Sequence, residues 1–317
     1  MMEKNMTVEI VCDDSSQGKR LDVQLPFLYD KLSRSKAQKL IKDGKVWVNG
    51  SLCTSKKTIL SSGDRISLCL GQKKILPQPE NIPLQIVYED ESVAVINKEK
   101  GMLVHPAGDI TGGTLVNALL GRYGDLPGTE DFRPGIVHRI DKDTTGLIVV
   151  AKNRNALNSL VDQFSTHSVR RKYMALVRGI PEPEEGIVDK PIGRNPKNRY
   201  KRAVTETGSR EAVTKYRVVE KYDGYSIVEA ELLTGRTHQI RVHMEYMGHP
   251  LPGDWLYTGN MGDRNRFIEL KGRKLSLDSQ MLHAKLIGFI HPDTGEYMEF
   301  KVDVPEDFNS LVNQLEK

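Results

Sequence analysis

The chain has 317 residues, with 46 Lys or Arg against 42 Asp or Glu, a formal charge of +4, and 38% hydrophobic residues. Its three cysteines, Cys12, Cys53 and Cys69, are odd in number and lack paired metal-site spacing, which excludes a disulfide scaffold and a structural zinc cluster. No apolar run approaches transmembrane length and Met1–Thr7 lacks a signal peptide's apolar stretch, so a reduced, soluble, cytoplasmic monomer is expected.

Basic charge is concentrated at the N-terminus. Residues 1–75 carry fourteen Lys or Arg and eight Asp or Glu, a net of +6, so the remainder is slightly acidic. Between Ser33 and Gly44, either Ser33 or Ser35 can cap a helix and Gly44 can end it. Ala37, Leu40 and Ile41 share one face of that helix, and Lys36, Lys39 and Lys42 share the opposite one, with Arg34 in its first turn. Lys45–Val48 alternates as a strand, Asn49-Gly50 is a hairpin turn, and Gly63–Leu68 reads as another turn and strand. An isolated lysine face is by default only a solvated surface. The order Arg20-Leu21-Asp22, basic helix, Val46–Gly50, however, resembles the S-four RNA-binding module. Such a module implies phosphate contacts by Arg34, Lys36, Lys39 and Lys42.

Three prolines in seven residues, Pro77 to Pro83, mark residues 76–84 as an extended linker between a domain at 1–75 and a larger one at 85–317. Within the larger domain, Ile86–Tyr88, Val93–Ile96, Leu147–Ala151, Tyr173–Val177, Ala212–Val219, Ser226–Leu233 and Leu286–Phe289 read as strands. Helical patterns are fewer, chiefly Thr114–Tyr123 and Asn155–Phe164. That mixture predicts an α+β fold with a large mixed or mostly antiparallel sheet.

Two segments carry the chemistry. In Arg133–Lys152, Asp141 stands in a polar turn just before a buried strand, where a carboxylate is costly unless paired or used. A lone Asp near Gly is most often a turn residue accepting backbone N–H bonds. The segment Glu229–Met244 repeats the pattern of strand and polar turn and places Arg236 in the turn, whose fork of donors suits a carboxylate. Asp141 and Arg236 are therefore expected to pair. Two loops, Arg194–Arg202 with Arg199, Lys201 and Arg202, and Arg170–Lys172 ahead of Tyr173, are basic enough to clamp RNA.

His138-Arg139-Ile140-Asp141, Thr144-Thr145-Gly146 and Arg236-Thr237-His238-Gln239-Ile240-Arg241-Val242-His243 together resemble the RluA-type pseudouridine synthases, in particular the D type acting on large-subunit ribosomal RNA. Matches at Asn97–Pro106, Lys172–Gly179, Leu282–Ala284 and His291–Glu296 extend the resemblance over residues 80–305. Ile140 stands where Leu is usual, Thr145 where Ser is usual, and Glu99-Lys100 where Pro-Ala is common.

The resemblance implies a cofactor-free isomerisation of uridine in structured RNA. It makes Asp141 the catalytic acid, Arg236 its salt-bridge partner and Tyr173 the ring that stacks on uracil, while Arg139 enters the base stack left by the flipped nucleotide. Lys172 and nearby arginines are expected to lower the Tyr173 phenol's pKa so that it can accept the C5 proton. A family member acting on transfer RNA or other ribosomal sites is an alternative. A metal-dependent RNA phosphodiesterase using His138, His238, His243 and His283 with Asp141 and Asp143 is a second class, although the spacings match no metal signature. A third is a catalytically silent ribosome-assembly factor, against which the intact Asp141, Tyr173 and Arg236 argue.

Overall fold

A computed structural model describes residues 5–316 apart from 30–31, 73–75, 108–109, 130–132, 199 and 271–272. Two compact units are present, Met1–Ile75 and Leu76–Lys317. The first contains β1 (Asn5–Val11), α1 (Leu21–Leu28), α2 (Arg34–Lys42), β2 (Val46–Val48), β3 (Ser51–Leu52) and β4 (Arg65–Gln72), with sheet order β1-β4-β2-β3. Ser33 Oγ accepts from the Lys36 amide at 3.3 Å and starts α2. Ala37, Leu40 and Ile41 then pack with Leu21, Leu25, Val46, Ile66 and Leu68, which leaves Lys36, Lys39 and Lys42 exposed. Asn49 and Gly50, at φ 51° and 76°, make the tight turn between β2 and β3.

The proline-rich stretch that follows has no regular structure, yet it is laid along the second unit. The Glu80 amide donates to the Asn117 carbonyl at 2.9 Å, and its carboxylate accepts from Gly113 N at 3.1 Å. Beyond it come β5 (Gln85–Glu89), β6 (Val93–Lys98), α3 (Leu115–Tyr123), β7 (Thr145–Ala151), α4 (Arg154–Ser165), β8 (Arg170–Arg178), β9 (Glu185–Asp189), β10 (Ile192–Arg194), β11 (Arg202–Val204), β12 (Val213–Tyr222), β13 (Tyr225–Leu232), α5 (Gln239–Tyr246), β14 (Phe267–Leu270), β15 (Arg273–Ser276), β16 (Leu282–Ile290), β17 (Tyr297–Lys301) and α6 (Glu306–Val312).

The main sheet runs β5-β6-β7-β16-β8-β13-β12-β9, with β17 added to β16. Only the β7–β16 pair among these is parallel, so the fold is α+β with a mixed, largely antiparallel sheet. The continuous apolar run of β7 feeds two cores, as alternation requires. Ile148 and Val150 join α3 residues Leu115 and Leu119 on one face, while Leu147, Val149 and Ala151 join α4 residues Ala156 and Leu160 on the other. Gly146, at φ 104°, opens β7 where any Cβ would drive into the Ala284 backbone of β16. Only glycine permits that approach, and it fixes where the Asp141 turn meets the sheet.

Candidate active site

The turn from Arg139 to Thr144 is held from beneath by a buried lysine. Lys98, at the end of β6, is 2% exposed and its Nζ donates to the carbonyls of Glu99, Met102 and Lys142 at 2.7, 3.0 and 2.9 Å. Three acceptors match three ammonium protons. Burial nevertheless pulls the ammonium pKa down to about 8, with Asp143, Asp141 and Glu99 opposing the fall. The Thr144 amide closes the turn on the Asp141 carbonyl at 3.2 Å. Asp141 is thus presented by a tied loop.

Its partner is Arg241, a correction to the expected pairing with Arg236. Arg241 Nη1 donates to Asp141 Oδ2 at 2.9 Å, whereas Arg236 Nε donates to the Glu211 carbonyl at 2.7 Å. The reason lies in local structure. His238 adopts a left-handed conformation, φ 60°, and starts α5, so the chain turns inward after Arg236 and the first helical turn aims Arg241 at the loop. The Arg241 Nε and Nη2 grip Asp254 Oδ2 and Oδ1 at 2.6 and 3.0 Å, a bidentate pair with a carboxylate that is fully buried. Asp254 also accepts from the amides of Leu256 and Tyr257, each at 3.0 Å.

His238 completes the surround. The Tyr257 hydroxyl accepts from Arg202 N at 2.8 Å and is hydrogen-bonded to His238 Nδ1 at 2.7 Å. Burial lowers the His238 pKa, which keeps the ring neutral. Nε2 stands 3.8 Å from Asp141 Oδ1, beyond hydrogen-bond range. Among the described residues, one Asp141 oxygen is therefore fixed by Arg241 and the other accepts no hydrogen bond.

Asp141 lines a pocket of about 400 Å³ together with residues including Arg139, Tyr173, Arg236, His238 and Arg241. All four residues singled out for the reaction in the sequence, Asp141, Tyr173, Arg236 and Arg139, reach this pocket, with Arg139 itself exposed. Tyr173 projects from the middle of β8 and is 6% exposed. Its phenol is held above the usual pKa by burial, against Arg171, which lowers it. That reverses the expected direction. Lys172 lies on the other face of β8 and is bound to Glu229 at 2.7 Å, so it gives the phenol no help.

The histidines are engaged separately. His138 Nε2 accepts from the Val149 amide at 3.0 Å and its ring stacks on Phe164, and burial depresses its pKa to about 3. His243 bridges Thr214 and the Lys190 carbonyl, and His283 bonds Thr145 at 2.8 Å. Among the described residues, no three His, Cys, Asp or Glu side chains are grouped to hold a metal ion.

The proposed RNA contacts are unevenly placed. Lys39 and Lys42 border a groove together with Lys56 and Lys57, two residues that the sequence reading overlooked because they lie outside the helix. Arg34 is partly committed, 3.4 Å from the fully buried Asp22, which Arg20 and Gln38 also hold. Lys201 stands 3.9 Å from Glu245, Arg202 begins β11, and Arg199 lies outside the described residues. Among the described residues no helix is long and apolar enough to cross a membrane.

Residues 92–246, which include Asp141, Tyr173 and Arg241, match the RNA pseudouridylate synthase family, and residues 19–66 match the S4 domain. An uncharacterized RNA pseudouridine synthase of Bacillus subtilis is 43% identical, with 98% of each chain covered. The chain belongs to the RNA pseudouridine synthases. Ribosomal large subunit pseudouridine synthase D of Vibrio parahaemolyticus is 41% identical to this synthase over 100% of its chain and 97% of the relative. The solved human RNA pseudouridylate synthase domain containing 1 superposes with a TM-score of 0.56 at 29% identity, covering 75% of this synthase and 89% of that chain.

The reaction sets the site's requirements. The synthase breaks the N1–C1′ bond of uridine, turns the uracil and joins C5 to C1′, so a proton leaves C5 and one is gained at N1. Nothing is oxidised or reduced. The site must supply a carboxylate beside the sugar or base, a wall for the detached ring, a proton path and shelter from water.

Proposed function

We propose that this synthase modifies uridines in structured large-subunit ribosomal RNA, in the cytoplasm, with Asp141 acting on the flipped nucleoside, Tyr173 lining the uracil and Arg139 filling the vacated stack. The observation that carries the assignment is the Asp141 carboxylate, which lines the pocket with Tyr173 and is held through one oxygen by Arg241, while the other accepts no hydrogen bond among the described residues. Flipping costs a few kcal/mol of unstacking, and an exposed arginine at the rim is suited to offset part of it by stacking and phosphate contact. The choice of RNA is supported by full-length similarity to an enzyme named for the large ribosomal subunit and by the S4 match. Pseudouridine mapping of total RNA from cells with and without this gene tests it. Loss of sites from transfer RNA alone would refute the ribosomal target.

Tyr173→Phe separates two uses of the ring. Once C5 is bonded to C1′, loss of its proton restores conjugation, and the neutral phenol can take that proton only while passing its own on, with N1 as the final acceptor, so that neither an oxonium nor a free phenolate forms. Tyr173→Phe is expected to slow tritium release from RNA labelled at uridine C5 by at least about tenfold, with enzyme–RNA adduct still forming. Release at the wild-type rate would leave Tyr173 as a stacking wall, a role worth roughly 1–3 kcal/mol per base that Phe retains.

Replacing Lys36, Lys39 and Lys42 with Gln should weaken binding of structured RNA and flatten its dependence on the logarithm of salt concentration by about 2.7, since each phosphate contact contributes roughly 0.9. Turnover at saturating RNA should be unchanged. An unaltered salt slope would show that this helix face does not touch phosphate.

A further inference from the structure

Two residues before Tyr173, on the same face of β8, stands a buried arginine that the mechanism does not use. Arg171 is 7% exposed and lines the pocket. It packs 5.4 Å over the Phe164 ring, yet among the described residues its Nε is buried without a hydrogen-bond partner. Among the described residues no carboxylate lies within ion-pair distance of it. Its neighbour across the pocket wall is a second cation, Arg236, whose Nε is taken by the Glu211 carbonyl and which likewise has no carboxylate partner among the described residues. Gly235 makes room for this pairing of like charges, because a Cβ there would stand 2.7 Å from Arg171 Nη1. Gly235 has no positive φ to account for it, so the space it leaves is its evident contribution.

An ionised guanidinium withdrawn from water without a counter-charge is costly, and the half-buried Arg236 nearby adds repulsion to that cost. The ring of Phe164 covers a face of Arg171 but satisfies none of its N–H donors. A neutral uracil oxygen would satisfy a donor and leave the charge unbalanced. A phosphodiester supplies both, since its two free oxygens match the guanidinium fork and its charge cancels one of the pair. Arg171 is about 7 Å along the strand from Tyr173, a separation comparable to that between base and phosphate within one nucleotide.

We propose that Arg171, with Arg236 beside it, seats an RNA phosphate adjoining the flipped uridine, and so fixes the sugar against Asp141. The inference rests on reading this pocket as the uridine site. Arg171 thereby contributes at the substrate backbone, while Arg241 orients the carboxylate.

Two measurements test it. Crystals of the full-length protein soaked in sodium tungstate, a heavy tetrahedral oxyanion, should show an anomalous peak within hydrogen-bond distance of the Arg171 guanidinium. A pocket without that peak overturns the proposal. With large-subunit ribosomal RNA transcribed in vitro, Arg171→Met should raise KM about tenfold, lower kcat as well because the sugar is no longer held against Asp141, and lower the salt slope of KM by about one phosphate contact. If Arg171→Met does not fold, Arg171→Lys keeps the charge and stem and should raise KM at least about threefold through loss of the fork. An unchanged KM in the folded variant overturns the proposal. If the wild-type protein forms no pseudouridine in this RNA while the tungstate peak is present, the ribosomal target fails and the oxyanion site stands.

Discussion

Asp141→Asn is expected to lose isomerisation below detection, at least about a thousandfold, while RNA affinity changes by less than about tenfold, or 1.4 kcal/mol. The substitution keeps size and removes charge and basicity. Arg241 Nη1, which donates to Asp141 Oδ2, dictates how the amide would sit. The Asn oxygen must turn toward that donor, which swings the NH2 group to the position of Oδ1. A donor without basicity then faces the nucleoside. The fold should hold, because Arg241 keeps its bidentate bond to Asp254 and Lys98 holds the loop through carbonyls that the substitution does not touch. The measurements are tritium release from RNA labelled at uridine C5 and equilibrium binding of the same RNA. Turnover within about a hundredfold of wild type would remove Asp141 from the central role.

Much of this arrangement was legible from residues in a row, and what was missed has physical causes. The run Leu147–Ala151 could be placed as a strand because its apolar residues are buried on both faces. The helix at Leu115–Tyr123 announces itself through Thr114, whose side chain and Asn117 cap each other. Helix α5 gives no such contrast. Ile240, Val242 and Met244 alternate as a strand would, and the helix is buried all round, so residues 239–244 show no polar stripe. Without that helix, Arg236 and Arg241 cannot be ranked as partners for Asp141, since both lie in one motif and only the chain's turn at His238 separates their directions. Asp254 lies thirteen residues from Arg241 in a loop that carries no periodic signal, and its role follows only from the contact. Lys98 falls in the same class: its three carbonyl partners come from two separate loops. The Tyr173 phenol goes up and not down because its burial outweighs Arg171 on the same face of β8, while Lys172 points to the other face and is bound to Glu229.

Arg241→Lys should be nearly as damaging to the rate as loss of Asp141, and unlike it should also destabilise the fold. Arg241 is 6% exposed and makes three charge-assisted hydrogen bonds, two to Asp254 and one to Asp141. A lysine carries the charge but no planar fork, so it can approach one carboxylate and must abandon the other. If it remains with Asp254, Asp141 loses its fixed orientation. If it reaches Asp141, the fully buried Asp254 keeps only its two amide donors. Breaking a buried pair in this way costs roughly 3–5 kcal/mol, and retention of the positive charge should hold the loss toward the lower end. We expect kcat to fall by at least about a hundredfold and the denaturation midpoint to drop clearly. Arg236→Lys serves as the contrast. Its side chain bonds the Glu211 carbonyl and does not touch Asp141, so its effect should fall on KM with kcat largely preserved. Single-turnover isomerisation and urea denaturation of both variants make the comparison. A near-normal kcat for Arg241→Lys together with a collapsed kcat for Arg236→Lys would return the partnership with Asp141 to Arg236.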